Sequence, residues 1–207
     1  LQLLSRARML FMACHRHRFA DRTLAELQGV LDEQLKSPFW EALGRHFFSM
    51  EFSRANYLTG IQSKSFIADL MPHYPVYVPL LPEAAQAVIA KPRPDIEPIL
   101  TLLESEGFEA RGYIDIFDAG PTLENRTDQI RSLRDSQLLT LVCGDALTGA
   151  SADQSRAVMA LVSNTELASF RCLLTRIDQR QPQLIDETAA LLGVAQGAAV
   201  RMHPLAP

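Results

Sequence analysis

The sequence is short of the features that mark several large classes of protein. Its 207 residues hold three cysteines, Cys14, Cys143 and Cys172, which are far apart and odd in number. They make neither a disulfide framework nor a zinc-ligand spacing, so they read as thiols packed in the interior, and no metal is implied. Positive charge is in deficit, with 20 Lys and Arg against 24 Asp and Glu and a net charge of −4. No general attraction to phosphate backbones follows, and nucleic acid is not an expected partner. No apolar run approaches the ~18 residues of a membrane span. The first residues carry Arg6 and Arg8 inside an amphipathic pattern, unlike a signal peptide. A membrane is therefore not an expected partner either, and the expected compartment is the cytoplasm. What the chain has in quantity is apolar surface: 47% of its residues are hydrophobic and 21% charged, enough for a real core.

An initiator methionine is also absent. Leu3, Leu4, Ala7, Leu10, Phe11 and Cys14 repeat at helical spacing, so a helix is expected over residues 2–18 with no capping residue before it. That reads as a helix whose natural lead-in is missing. Residues 23–31 read as a buried strand, and Ser37-Pro38 as a helix start with serine as the cap. The helix it opens is expected to end near Gly44. A short helix is expected over 65–70, an extended run over 74–78, and another helix from Pro82 through Ile89. Lys91-Pro92-Arg93-Pro94 is a stiff turn, because two prolines hold extended backbone around Arg93. A helix over 95–106 stops at Gly107, and a strand follows over 112–118. The stretches 39–48 and 102–108 echo each other, each a helix, a glycine and an aromatic, as a tandem repeat would. Beyond Ile130 the texture changes to short apolar runs at 138–142, 158–162, 170–175 and 198–202, with a helix-like segment over 185–192 and a loop over 144–155. The expected division is 1–130, a larger mixed region, and 131–207, a small mainly-β unit.

Three blocks carry a resemblance. Residues 37–48 (Ser-Pro-Phe-Trp-Glu-Ala-Leu-Gly-Arg-His-Phe-Phe), 66–72 (Phe-Ile-Ala-Asp-Leu-Met-Pro) and 113–122 (Tyr-Ile-Asp-Ile-Phe-Asp-Ala-Gly-Pro-Thr) closely resemble signatures of the arginine N-succinyltransferase family. They occur in the family's order with nearly gapless spacing over residues 1 to about 135. Leu4-Ser5-Arg6-Ala7-Arg8 resembles the start of that family's coenzyme-adjacent helix. The resemblance implies an α+β fold: a GNAT-like acyltransferase region, partial at its amino-terminal side, followed by a barrel-like β unit. It implies transfer of a succinyl group from the co-substrate succinyl-CoA to the α-amino group of arginine (or ornithine), with no permanently bound cofactor. In such folds the pyrophosphate rests on backbone N–H groups at a helix N-terminus. That would put Leu4 and Ser5 just after a loop lying before residue 1, and the truncated chain alone is expected to be inactive. Pairing with the same or a homologous subunit is implied as well.

The chemistry asks for a deprotonated amine, donors for a tetrahedral oxyanion, and a proton for the leaving thiolate. The resemblance puts Arg93 where the family has a proton-donor histidine, and an arginine does not release a proton near neutral pH. His46 and His73 are the candidate titrating substitutes. Gln28 stands in place of an arginine, and Leu35 in place of a turn glycine, a position where leucine fits badly if φ is positive. Guanidinium recognition asks for carboxylates. Glu26, Asp32, Glu33 and Asp115 are the candidates; Glu26 and Asp115 lead, because a carboxylate on an apolar strand must find a partner. Two functions follow: an arginine succinyltransferase, or a homologous subunit that binds ligand or partner without turnover.

Overall fold

The computed structural model describes residues 2–61, 74–144, 157–178 and 183–205. In chain order these form α1 (Gln2–Cys14), β1 (Arg22–Glu26), a π-helical stretch Trp40–Gly44 running into α2 (Arg45–Phe48), α3 (Phe52–Ile61), α4 (Glu83–Gln86), α5 (Glu97–Ser105), β2 (Glu109–Ile114) and β3 (Pro121–Arg126). There follow α6 (Arg131–Arg134), β4 (Gln137–Thr140), β5 (Val142–Gly144), β6 (Val158–Ser163), β7 (Cys172–Ile177), β8 (Gln183–Ile185), α7 (Asp186–Leu192) and β9 (Ala199–Pro204). The helix expected over 65–70 and nearly all of the loop expected over 144–155 lie outside the described residues.

Two compact units emerge, Leu1–Arg22 with Arg126–Pro207, and Thr23–Asn125. The first helix thus belongs with the carboxy-terminal part, where the sequence reading groups it with residues up to 130. The reason is its apolar stripe: α1 buries Met9 and Leu10 and packs on α6, β6 and β9. Amphipathicity says that a helix needs a partner, not which one.

In the unit built around residues 126–207, four strands form one antiparallel sheet in the order β4-β9-β6-β7, and β5 and β8 pair in parallel. Leu141, Ala160, Val162, Ile177, Leu184, Leu192, Val200 and Met202 make its core. The four strands match the four apolar runs read from the sequence. The basic turn Arg16–Arg18 that follows α1 is held structurally: Arg16 bridges Asp128 (2.6 Å) and Asp21 (2.9 Å) and donates to the Phe19 carbonyl. Cys14 and Cys172 are free thiols, and burial pushes Cys172 up to about 11, so it stays protonated near neutral pH.

In the unit Thr23–Asn125, β3 is the middle strand of a three-stranded sheet, β1-β3-β2. The β2–β3 pairing is antiparallel, with a bulge between Ala110 and Ile114 that Gly112 accommodates at φ 83°. The strand expected over 112–118 is displaced: β2 ends at Ile114, residues 115–120 form a turn, and β3 starts at Pro121. Proline is tolerated as the first residue of a strand, which is why Gly120-Pro121 reads as a turn while ending one.

Ser37 caps its helix as expected, its Oγ accepting from the Trp40 N–H at 3.1 Å. The helix does not end at Gly44, which has helical angles (φ −57°, ψ −42°); it runs on to Phe48 and stops at Ser49, in the left-handed region at φ 50°. Gly44 is required for space. A Cβ there would lie 2.2 Å from the Trp40 ring. Gly107, by contrast, has φ 91° and does end its helix, so the echo between 39–48 and 102–108 does not extend to the backbone. Trp40 is fully buried, stacks on Phe48 (5.2 Å) and Phe117 (5.3 Å), and donates its indole N–H to the Met50 carbonyl at 3.0 Å. Phe52, Ala55 and, at its edge, Phe47 complete this core, as the aromatic pattern implies.

Leu35 adopts φ 60° with its side chain 71% exposed, so the strain of a left-handed leucine is offset by little burial. Two opposite effects should follow in thermal or urea unfolding. Leu35→Gly should raise stability by up to about 1 kcal/mol as the strain is relieved. Gly44→Ala should lower it by about 1–3 kcal/mol through overpacking against Trp40, despite the better helix propensity of alanine.

Candidate functional site

The site lies wholly within the unit Thr23–Asn125. Its walls come from the end of β1 and the residues after it (Glu26, Leu27, Gln28), the turn after β2 (Asp115, Phe117, Asp118) and one face of α3 (Phe52, Asn56). Together they enclose a cleft of about 230 Å³. Glu26 and Gln28 are two residues apart, which puts them on one face of an extended chain. Phe52 and Asn56 are four apart, which puts them on one face of a helix.

The turn is built by its own acids. Asp115 Oδ1 accepts from the Phe117 N–H (2.7 Å) and the Asp118 N–H (3.2 Å), and the backbone closes through Asp115 N–H to the Gly120 carbonyl (2.8 Å). This is an aspartate turn, which leaves Oδ2 without a donor among the described residues. Phe117 is thereby turned into the core on Trp40. Asp118 is buried, its Oδ1 accepts from the Gly120 N–H at 2.9 Å, and the Gly29 N–H also faces its carboxyl. Burial lifts its carboxyl above the ordinary 3.8, against the opposing pull of those two N–H groups. The approach is close: a Cβ on Gly120 would lie 2.0 Å from the Leu27 carbonyl oxygen, and one on Gly29 2.2 Å from that of Asp118. Leu27 N–H bonds the Pro121 carbonyl at 3.1 Å, completing the junction of the two chains.

Of the residues expected from sequence, the structure brings Glu26 and Asp115 together in this cleft. Asp115 sits in the turn, not on a strand. Asp32 and Glu33 are exposed and do not line it; Asp32 Oδ1 accepts from the N–H groups of Gln34 and Lys36, both at 2.9 Å, and so shapes the turn around Leu35. His46 is exposed on α2 and is not one of the lining residues. His73 lies outside the described residues. Leu4 and Ser5 belong to α1 of the other unit; Leu4 is 69% exposed, whereas Ser5 is buried with its Oγ accepting from Arg8 at 3.3 Å.

Arg93 is half-buried beside the cleft. Its Nε and Nη2 grip the Asp95 carboxylate, the latter at 2.7 Å, and its Nη1 donates to Gln28 Oε1 at 2.8 Å. Its backbone N–H also bonds the Gln28 carbonyl at 2.9 Å, and Pro92 bridges Gly29. The pairing with Asp95 holds the guanidinium even further from deprotonation and the carboxyl below its ordinary value. Two of the departures noted in the sequence, Gln28 and Arg93, are therefore in contact. Phe52, Asn56 and Phe117 were not among the sequence candidates; only the Phe52–Asn56 spacing could have pointed to a shared face.

The family model of the arginine N-succinyltransferase beta subunit matches residues 1–132, and that of its carboxy-terminal domain matches 146–204. The arginine N-succinyltransferase subunit beta of Pseudomonas aeruginosa is 46% identical over 206 residues, covering 99% of this chain and 58% of that protein. The arginine N-succinyltransferase of Yersinia pseudotuberculosis is 45% identical over 204 residues, 98% of this chain and 58% of the relative. Among solved structures, arginine/ornithine succinyltransferase subunit AI from Pseudomonas aeruginosa superposes with a TM-score of 0.82 at 39% identity, over 99% of this chain and 57% of that one. These define a family of acyl-transferring enzymes with mixed helix and sheet. The chain belongs to the arginine N-succinyltransferase beta subunit family. It spans somewhat over half the length of the curated relatives it matches.

The elevated Asp118 carboxyl makes a directional prediction. A carboxyl that binds its proton more tightly when folded makes stability fall as pH rises from about the ordinary 3.8 through the raised value. Asp118→Asn keeps an Oδ1 acceptor for Gly120, carries no titrating carboxyl, and should flatten that slope. Asp118→Ala removes the acceptor of the Gly120 N–H and should cost about 1–3 kcal/mol at every pH, measured by urea unfolding.

Proposed function

We propose that the protein to which this chain belongs transfers succinyl from succinyl-CoA to the α-amino group of arginine, with ornithine as the competing acceptor. The observation that carries this reading is the convergence of Glu26 and Asp115 in one cleft also lined by Leu27, Phe52 and Phe117. Two carboxylates above apolar walls suit a cation on an aliphatic stem, because planar guanidinium pairs well with carboxylate oxygens and its methylenes gain from apolar contact. In the reaction the free amine nitrogen attacks the thioester carbonyl carbon, the C–S bond breaks, the amine loses its proton, and the coenzyme leaves as a thiol. The products are N-succinylarginine and coenzyme A.

Arg93 is not the proton donor of this step. As a fixed cation tied to Asp95, its part is to hold Gln28. His46 and His73 stay the proposed titrating groups, and Leu4 and Ser5 the proposed neighbours of the coenzyme at the amino-terminal end of α1. The GNAT-like character of the fold, a cytoplasmic setting and assembly with the same or a homologous subunit belong to the same proposal. The words "beta subunit" and "subunit AI" in the names of relatives support pairing.

A second reading, a subunit that binds ligand without turnover, is favoured by one observation: the Arg93 guanidinium is engaged by Asp95 and Gln28 and stands where a proton donor is expected. The test is coenzyme A release by the protein from which this chain comes, given succinyl-CoA and arginine. Turnover that falls about 10–100-fold in kcat/KM in Glu26→Gln and in Asp115→Asn supports the transferase. Arginine binding with no coenzyme A release supports the second reading.

A further inference from the structure

Arginine side chains donate hydrogen bonds and accept none. The contact between Arg93 Nη1 and the Gln28 amide at 2.8 Å therefore fixes which end of that amide faces Arg93: it is the oxygen. The nitrogen end is left over, and it has no acceptor among the described residues. Gln28 is at the same time a wall of the acidic cleft. Its backbone is held too, by the Arg93 N–H on its carbonyl and by the Gly29–Pro92 bridge beside it, while Ala90 N–H on the Ala119 carbonyl (2.9 Å) anchors the start of the same segment. Arg93 itself is held in place by its two-point grip on Asp95.

The cleft thus has three acids, Glu26, Asp115 and Asp118, the last of them engaged by the Gly120 N–H, and one amide set as a donor. We infer that Gln28 Nε2 donates to the carboxylate of the amino-acid substrate, and that Arg93 is a positioning residue that keeps the amide turned this way. The inference rests on the reading that the cleft takes arginine, and deepens it: the site selects an amino acid over the corresponding amine. Without Arg93 the amide is free to flip and to present its oxygen to the ligand, which would repel a carboxylate. A lysine at 93 also has only donors, so it preserves the orientation where an apolar residue does not.

The experiment compares L-arginine with agmatine, which has the same guanidinium and stem but no carboxylate. Binding to the chain is followed by calorimetry and by the fluorescence of Trp40, its single tryptophan, which stacks on the cleft residue Phe117. Gln28→Leu should weaken arginine about 10-fold or more and leave agmatine within about twofold, as expected for a lost hydrogen bond to a charged group. Arg93→Met should weaken arginine alone, by a smaller factor, and Arg93→Lys should restore most of it. Unfolding midpoints of the variants separate a general loss of structure, which would weaken both ligands alike. Equal loss of both ligands in folded Gln28→Leu, or no loss of either, overturns the inference and leaves the arginine reading standing. Failure of the unsubstituted chain to bind either ligand overturns both.

Discussion

Where the chain passes Gly29 it lies against the turn at Gly120, with backbone atoms closer than any side chain would allow. Everything at the cleft depends on that approach. It lets Asp118 reach both glycine N–H groups, seats Leu27 on Pro121, and so brings the end of β1 to the turn after β2. Glu26 and Asp115, almost ninety residues apart in sequence, become two walls of one cavity as a result. A buried carboxylate is costly unless its lone pairs are used. Asp118 is engaged by the Gly120 N–H at Oδ1, and Glu26 and Asp115 line the cleft beside it.

The aromatic core has a matching role from below. Trp40 lies between Phe48 and Phe117, and Gly44 clears the space its ring occupies. Phe117 is common to that core and to the cleft lining, so the same side chain takes part in both. The segment 90–93 straps the junction from the side, through Ala90 on Ala119 and Arg93 on Gln28. The unit Thr23–Asn125 therefore holds its cleft by backbone contacts and a stacked core, with charged groups spent sparingly.

How much of this could be read from sequence depended on whether the signal was local. The Ser37 cap, the helix ending at Gly107 and the four apolar strands of the other unit are local, and the structure has them. Glu26 and Asp115 stood out in the sequence because a carboxylate in an apolar stretch asks for a partner, and the structure places both on one cleft. Gly44 was misread as a helix end, since a glycine needed for space and one needed for its backbone look alike. Asp115 was placed on a strand because an apolar alternation does not show where an aspartate turns the chain. The pairing of Gln28 with Arg93 and the partner of α1 were illegible, because each joins segments far apart in sequence. Asn56 had no signal beyond sharing a helix face with Phe52.

The central claim is that Glu26 and Asp115 act on one cation. A double-mutant cycle on arginine affinity, with Glu26→Gln, Asp115→Asn and the pair, tests it most directly, since asparagine keeps the Oδ1 acceptor of the turn. Two carboxylates sharing a guanidinium should be coupled, the double variant losing less than the two single losses added, by about 0.5 kcal/mol or more. Losses that simply add, or single variants that bind arginine as the unsubstituted chain does, would contradict the account.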